Sequence, residues 1–458
     1  MKFMRMPVIY CKEIAIELLR YECSKLILSS AIYLIFLFIN YIIRKEFKAY
    51  AIVCKYNRII YNYSLNGKNN ILQRIIKQKT LENLTGVNSL LDNFLNRRRS
   101  KIYRLEFFKY GVDNCLRLRY PKENDDPKRQ GDLLVLKPYI GKNEKGVVFI
   151  KYNDALEKFI SLFDSSKVAR DYYIVLEPST WGYQDIVFMY FVGLGTDVII
   201  ESQYQRDYDY IASLRSNLKP IRIGAGDWVD PAIFYPISPV KLYDFVMIAS
   251  WQRLKRHDLF FRALAKIKSE VSRVALIGYP AGGKTLKDIE REALRYNIKD
   301  KVTFFERISP YEVRKILSES KASIMLSKRE GANRAIYESL FCNVPIILTD
   351  QNVGVNREII NNQTGILSRD EELHNNLLKM LIDYKKFNPR EWALKNTGYI
   401  NSTRKLNDFL KKIATENGED WSQNIFTKKN LPNATYVFES ERQEAEKEFQ
   451  RLVRYLRI

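Results

Sequence analysis

The chain has 458 residues, which favours two or three domains, since an ordinary domain holds roughly 150 residues. Hydrophobic residues make up 46% of the sequence and aromatic residues 13%, enough to build packed cores and to exclude a wholly disordered chain. Lys and Arg number 75 against 53 Asp and Glu, and the resulting net charge of +22 favours a polyanionic partner.

Motif content narrows the class of this partner. The sequence has no helix-turn-helix, zinc-finger spacing or aromatic-rich RNA-binding signature, so we expect no nucleic acid and favour an anionic lipid surface. Its five cysteines include no CxxC pair, which indicates neither a disulfide framework nor a zinc site. A reducing compartment is therefore expected.

Residues 26–43 form a long apolar segment, LILSSAIYLIFLFINYII, with 18 residues and no charge. As a helix it would be about 27 Å long, just short of the ~30 Å hydrocarbon core of a bilayer. It could span a membrane, lie half-inserted at its surface, or form a buried core helix. Both flanks are basic, so the sequence predicts no orientation. We expect residues 1–100 to be an N-terminal region that carries this anchor segment.

From about Asp132 onward, short β-branched runs alternate with amphipathic stretches. This alternation is typical of parallel sheets covered by helices and predicts a Rossmann-like domain over residues 101–237. Its predicted strands are Asp132–Leu136, Gly146–Lys151, Tyr172–Leu176, Asp197–Ile200 and Pro220–Ile223.

Pro231, Pro236 and Pro239 mark a linker, after which a second alternating series begins. Its predicted strands are Phe245–Ala249, Arg273–Gly278, Val302–Phe305, Ala322–Leu326 and Val344–Leu348. We expect a second Rossmann-like domain over residues 238–400 and a helical tail over residues 401–458. The predicted fold class is α/β, with two doubly wound parallel sheets that face a cleft at their carboxyl ends, where ligands bind.

Residues 278–285, GYPAGGKT, satisfy the P-loop pattern GxxxxGK[ST] between a predicted strand and a predicted helix. A P-loop usually follows the first strand of its domain, whereas this turn follows the second. A P-loop NTPase is therefore kept as an alternative function.

Asp207-Tyr208-Asp209 has the form of a metal-binding DxD motif. It lies within a helix candidate, however, where we expect it to form part of a solvated face.

The strongest signal is the segment Ser327–Asp350, SKREGANRAIYESLFCNVPIILTD. In it a strand ends, a loop carries Glu330 and Gly331, and a helix starts near Asn333. Asn is a favoured helix cap, and a helix start that follows a glycine offers backbone N–H groups to an anion such as a diphosphate. Glu338 lies roughly 7–8 Å further along the helix, where a carboxylate can accept from sugar hydroxyls.

The spacing Glu330-x7-Glu338, with the segment NVPII that follows, resembles the signature of glycosyltransferase family four, the group 1 glycosyl transferases. These are retaining enzymes of the GT-B fold. The resemblance covers roughly residues 224–367, and its supporting matches are Trp228–Pro236, Lys255, Gly278 and Arg357–Leu367.

The resemblance implies a role for each matching residue. Glu330 would contact the donor sugar and Lys255 the diphosphate, as the catalytic pair, while Glu338 would bind the ribose. The other implied donor-binding residues are Gly331, Ala332, Asn333, Arg253 and Gly278.

Two departures from the family pattern affect the mechanism. Ser250 stands where the family has an arginine, and Arg253 and Arg256 lie nearby. Arg253 is the first candidate to replace that arginine, while Arg256 is either a weaker candidate or a solvated residue. The two histidines, His257 and His374, both lie in the second series, which excludes an imidazole base in the first domain. The resemblance then implies a transfer in which the departing diphosphate oxygen takes the acceptor proton.

The resulting expectation is a membrane-associated glycosyltransferase of polysaccharide biosynthesis, with cytosolic catalytic domains. Its partners would be a nucleotide-sugar donor, as substrate, and a glycan or lipid-linked acceptor. No cofactor and no metal are expected. Besides the NTPase, a catalytically silent nucleotide-binding protein remains an alternative.

Overall fold

The computed structural model describes residues 104–105, 133–178, 190–192, 194–213, 215–330, 333–431 and 433–457. The apolar segment 26–43 lies outside these ranges. In the part of the chain that is described, none of the helices is both long and apolar enough to cross a bilayer.

The first sheet has five strands in the order β1-β2-β3-β4-β5. They are β1 (Leu133–Lys137), β2 (Gly146–Lys151), β3 (Tyr172–Glu177), β4 (Val198–Glu201) and β5 (Leu218–Ile221). Strands β2 to β5 are parallel, as predicted, but β1 runs antiparallel to β2. The short connection over residues 138–145 explains this difference, because a parallel pair needs a crossover of a dozen or more residues.

The second sheet is parallel throughout, with the strand order β11-β10-β9-β6-β7-β8. The strands are β6 (Tyr243–Ile248), β7 (Val274–Gly278), β8 (Val302–Glu306), β9 (Ser320–Met325), β10 (Ile346–Thr349) and β11 (Gly365–Ser368). The chain winds outward from β6 to β8 and then returns to pair β9 with the other side of β6. This reversal makes the sheet doubly wound and places its switch point between β6 and β9.

Helices cover the sheets and connect successive strands. Around the first sheet they are α1 (Asn153–Leu162), α2 (Ser165–Asp171) and α3 (Gln205–Ser213). Around the second they are α4 (His257–Lys266), α5 (Leu286–Arg295), α6 (Pro310–Ser318), α7 (Arg334–Phe341), α8 (Leu373–Asp383) and α9 (Pro389–Asn396). The predicted α/β class, with two sheets in succession, is confirmed.

The C-terminal stretch, expected to be helical, contains helices α10 (Tyr399–Glu416) and α11 (Glu439–Leu452) and also a hairpin of β12 (Lys428–Leu431) and β13 (Asn433–Tyr436). It packs on the first sheet and shares its hydrophobic core. The Tyr436 hydroxyl accepts from the Val135 N–H at 3.0 Å and donates to the Val135 carbonyl at 2.8 Å. This contact satisfies backbone groups along the free edge of β1, which would otherwise invite pairing with another chain.

Candidate active site

The switch point of the second sheet brings Lys255 and Glu330 together. Lys255 ends a short 3-10 helix, Arg253–Lys255, that follows β6, and Glu330 lies in the loop after β9. The Lys255 ammonium forms a salt bridge with Glu330 Oε1. The Ser327 hydroxyl donates to the same oxygen at 2.5 Å. Because Glu330 is only 8% exposed, this ion pair is largely shielded from water and from salt.

The loop that carries Glu330 is fastened to the loop after β10. The Glu330 N–H donates to the Val353 carbonyl at 3.0 Å, and the Val353 N–H donates to the Lys328 carbonyl at 2.9 Å. The buried Asn352 amide adds a bond to the Ser327 carbonyl at 2.6 Å. Sequence reasoning missed Asn352, since its contact joins loops that meet only in the folded sheet. It also missed Ser327, although this residue lies three positions before Glu330 in the same loop.

Helix α7 begins directly after this loop. Asn333 is its cap, and the Asn333 Oδ1 accepts from the Ala335 N–H at 2.9 Å. Gly331 and Ala332 lie outside the described residues, so their predicted donor contacts stay predictions. The start of α7 and the Lys255–Glu330 pair thus flank the same edge of the sheet.

Glu338 lies on α7 and is 8% exposed. Burial raises the pKa of its carboxyl group, and the Arg334 guanidinium, 2.9 Å away, opposes that effect. Arg334 was missed in the sequence, although opposite charges four residues apart on a helix are a recognisable pairing signal.

The two arginines on either side of Lys255, Arg253 and Arg256, lie in different environments. Arg256, expected to be either a weaker candidate for the diphosphate or a solvated residue, is 18% exposed at its side chain and forms a bidentate ion pair with Asp370, at 3.0 and 2.5 Å. It also donates to the Leu326 carbonyl at 3.2 Å. Arg256 therefore joins the start of α4 to the loop after β11, whereas Arg253 is exposed and stays a candidate for the diphosphate.

Gly278 is required by packing. A Cβ at this position would lie 2.4 Å from the Ala249 carbonyl oxygen and 2.5 Å from the Trp251 ring. Trp251 is fully buried and donates from its indole to Glu306 at 2.9 Å. This packing accounts for the glycine, and its predicted donor contact stays a prediction.

In the P-loop-like turn 278–285, the two groups that would bind a phosphate, the Lys284 ammonium and the N–H groups at the start of α5, already contact carboxylates. Lys284 forms an ion pair with Glu292 of α5. At the start of α5, Asp288 accepts from the backbone N–H and from the hydroxyl of Thr285, each at 2.8 Å. A phosphate at this turn would meet two carboxylates, which disfavours the NTPase alternative.

His257 packs between aromatic rings and is 2% exposed. Burial lowers its pKa to about 3, so the imidazole is neutral near pH 7 and is no proton carrier there.

The DxD-like motif lies on α3, and Asp207, expected on a solvated face, is 3% exposed. Throughout the described ranges, no group of three or more His, Cys, Asp and Glu side chains could hold a metal ion.

Helix α7 also contacts the first sheet. Tyr337, next to Glu338, is fully buried, and its hydroxyl meets the amide of Gln203, which follows β4. Gln203 also donates to Asp227 at 2.7 Å, and Thr397 donates to the second oxygen of Asp227 at 2.7 Å. The site is thus held from both sheets.

One comparison with known protein families matches the second sheet. Residues 236–395 match the family model described as Glycosyl transferases group 1, a stretch that contains all strands of the second sheet. No curated protein sequence matches the chain.

Similar solved structures include HepE of Anabaena in complex with UDP, at 17% identity and a TM-score of 0.47, over 58% of this chain and 78% of that one. Sucrose-phosphate synthase from Thermosynechococcus elongatus is 16% identical, with a TM-score of 0.44, over 59% and 72%. A glycosyltransferase from Rickettsia africae is 16% identical, with a TM-score of 0.44, over 58% and 76%. The family match supports a glycosyltransferase, and the similarity to the group 1 glycosyl transferases lies in the domain that carries Lys255, Glu330 and Glu338.

Proposed function

We propose that this protein is a retaining, metal-independent glycosyltransferase of the GT-B type. It transfers a sugar from a nucleotide-sugar donor to a glycan or lipid-linked acceptor. The main observation in support of this proposal is the Lys255–Glu330 ion pair, which lies at the switch point of the second sheet, beside the start of α7.

The donor fits this edge of the sheet in a definite direction. Its diphosphate lies against the positive start of α7 and the Lys255 ammonium. Phosphate competes with Glu330 for Lys255, which frees the Glu330 carboxylate to accept from sugar hydroxyls. Glu338, further along the helix, accepts from the ribose hydroxyls.

The chemical step needs no imidazole. The bond from the sugar C1 to the diphosphate oxygen breaks, and a bond from C1 to the acceptor oxygen forms on the same face. The acceptor proton passes to the departing diphosphate oxygen. Lys255 stabilises the negative charge that grows on the diphosphate, and both domains hold the reactants in place.

The NTPase and the silent nucleotide-binding protein are the competing functions. The carboxylates that occupy Lys284 and the start of α5 weigh against the first. Retention of both Glu330 and Glu338, each ion-paired in the fold, weighs against the second.

A panel of radiolabelled UDP-, GDP- and ADP-sugars tests the proposal with the purified chain. We expect one of them to lose its sugar to an added acceptor or, slowly, to water. Nucleoside triphosphate hydrolysis without turnover of any sugar donor would favour the NTPase. Nucleotide binding without either reaction would favour the silent protein.

A further inference from the structure

Each of the two glutamates in the proposed donor site has its own cation. Glu330 is paired with Lys255, a residue that the family resemblance names, and Glu338 is paired with Arg334, a residue that it does not name. Arg334 is the first residue of α7, one turn before Glu338 on the same face of the helix.

The Arg334–Glu338 pair is largely buried. The side chains are 21% and 11% exposed, and the guanidinium meets Glu338 Oε1 at 2.9 Å. The Arg334 Nε–H group is buried and, among the described residues, has no hydrogen-bond partner. The guanidinium group is thus held by the Glu338 carboxylate and is largely shielded from solvent.

Among the titratable groups around Glu338, Arg334 is the cation that favours the ionised carboxylate. On α7 itself the neighbouring titratable groups are Arg334 and Tyr337, and the buried Cys342 follows directly after the end of the helix. From the elements packed against the helix come Asp227, which faces Tyr337, and Arg390, which donates to backbone carbonyls at 3.0 and 2.5 Å. Burial raises the pKa of Glu338, and Arg334 is the partner that lowers it.

We propose that Arg334 is a positioning residue that keeps the Glu338 carboxylate ionised and fixed along α7, ready to accept hydrogen bonds from both ribose hydroxyls of the donor. The inference rests on the proposed function and adds a residue to that site. An ionised carboxylate accepts at both oxygens, whereas a protonated one gives up part of that capacity.

The test is the pH dependence of nucleotide binding by isothermal titration calorimetry. The probe is whichever of UDP, GDP and ADP binds the wild-type chain most tightly, between about pH 6 and about pH 8.5. The variants are Arg334→Met, Arg334→Lys and Glu338→Gln. Arg442→Met is the matched control, because Arg442 is 19% exposed and also pairs with a glutamate four residues later, on α11. The ratio of variant to wild-type Kd at each pH cancels the titration of the nucleotide itself.

Without Arg334, the pKa of Glu338 rises, so binding is lost as the pH falls and returns as it rises. We expect Arg334→Met to weaken binding at least about fivefold near pH 6 and to come within about twofold of wild type near pH 8.5. Arg334→Lys should restore most of the affinity, Glu338→Gln should be weak at every pH, and Arg442→Met should match wild type.

An equal loss at every pH for Arg334→Met, or no loss at all, overturns the proposal, because a direct phosphate contact or a purely structural role has no such pH profile. If no nucleotide binds even the wild-type chain, the donor site itself is wrong, and the proposed function and this inference fail together.

Discussion

The two glutamates sit in different places along the proposed donor, so their replacement should have different kinetic effects. Glu338→Gln removes a charged acceptor of ribose hydrogen bonds, each worth roughly 1.5–3 kcal/mol, and should weaken nucleotide-sugar affinity. Glu330→Gln should lower turnover more than nucleotide affinity, since its proposed contact is with the sugar. Calorimetry with the nucleotide, together with initial rates, separates the two effects. Unchanged affinity in Glu338→Gln, or normal turnover in Glu330→Gln, contradicts the assignment.

Arg256 differs from Lys255 although it is the next residue along the chain. Its bidentate pair with Asp370 is largely buried, so Arg256→Met leaves a shielded carboxylate whose remaining cation, Lys328, lies 4.0 Å away. We expect a loss of about 1–3 kcal/mol in the free energy of unfolding, measured by urea titration. An unaltered unfolding midpoint together with a tenfold loss of turnover would instead place Arg256 on the diphosphate.

At the level of elements, the C-terminal hairpin protects the edge of the first sheet. Tyr436→Phe keeps the buried ring and removes the hydroxyl that satisfies the Val135 N–H and carbonyl. Two backbone groups are then left unpaired in a buried setting, at a cost of about 1–3 kcal/mol. Urea unfolding of this variant measures that cost. Wild-type stability would mean that water or another group replaces the hydroxyl.

Sequence patterns predicted most strands because buried parallel strands are continuous β-branched runs, as in Gly146–Lys151, which matches the structure end for end. They missed β11, a short strand with Leu367 41% exposed, since such a half-exposed stretch lacks a clear apolar run. The antiparallel β1 and the hairpin on its edge also escaped prediction. Both features depend on contacts between segments that are distant in sequence, and the local residue pattern does not encode such contacts.

The candidate site was predictable where the family resemblance names a residue, as for Lys255 and Glu330. The structure brings that pair together. Most contacts that hold the site could not be predicted in the same way, because Asn352 and Tyr337 act through loops and domains distant in sequence. Ser327 is the exception, since it lies three residues before Glu330 in the same loop.

For the whole molecule, we propose that the chemistry lies in the two sheet domains and that residues 26–43 attach the protein to a membrane. We expect deletion of residues 1–44 to release the protein from membranes while transfer to a soluble acceptor continues, because Lys255, Glu330 and Glu338 all lie far beyond the deletion. Sedimentation with vesicles and an acceptor assay measure the two properties. Aggregation of the truncated chain, with an intact chain that stays in solution without detergent, would show that the segment is a core helix.

The central claim is that the donor diphosphate is held at the switch point of the second sheet and not at the turn 278–285. The most direct test compares the turnover of Lys255→Met with that of Lys284→Met, two lysines that are each paired with a glutamate in the fold. A cation beside the leaving diphosphate stabilises the transition state more than the bound donor, so Lys255→Met should lower kcat at least about tenfold, or about 1.4 kcal/mol. Lys284→Met should stay near wild type. Normal turnover in Lys255→Met, with activity lost in Lys284→Met, would contradict the account.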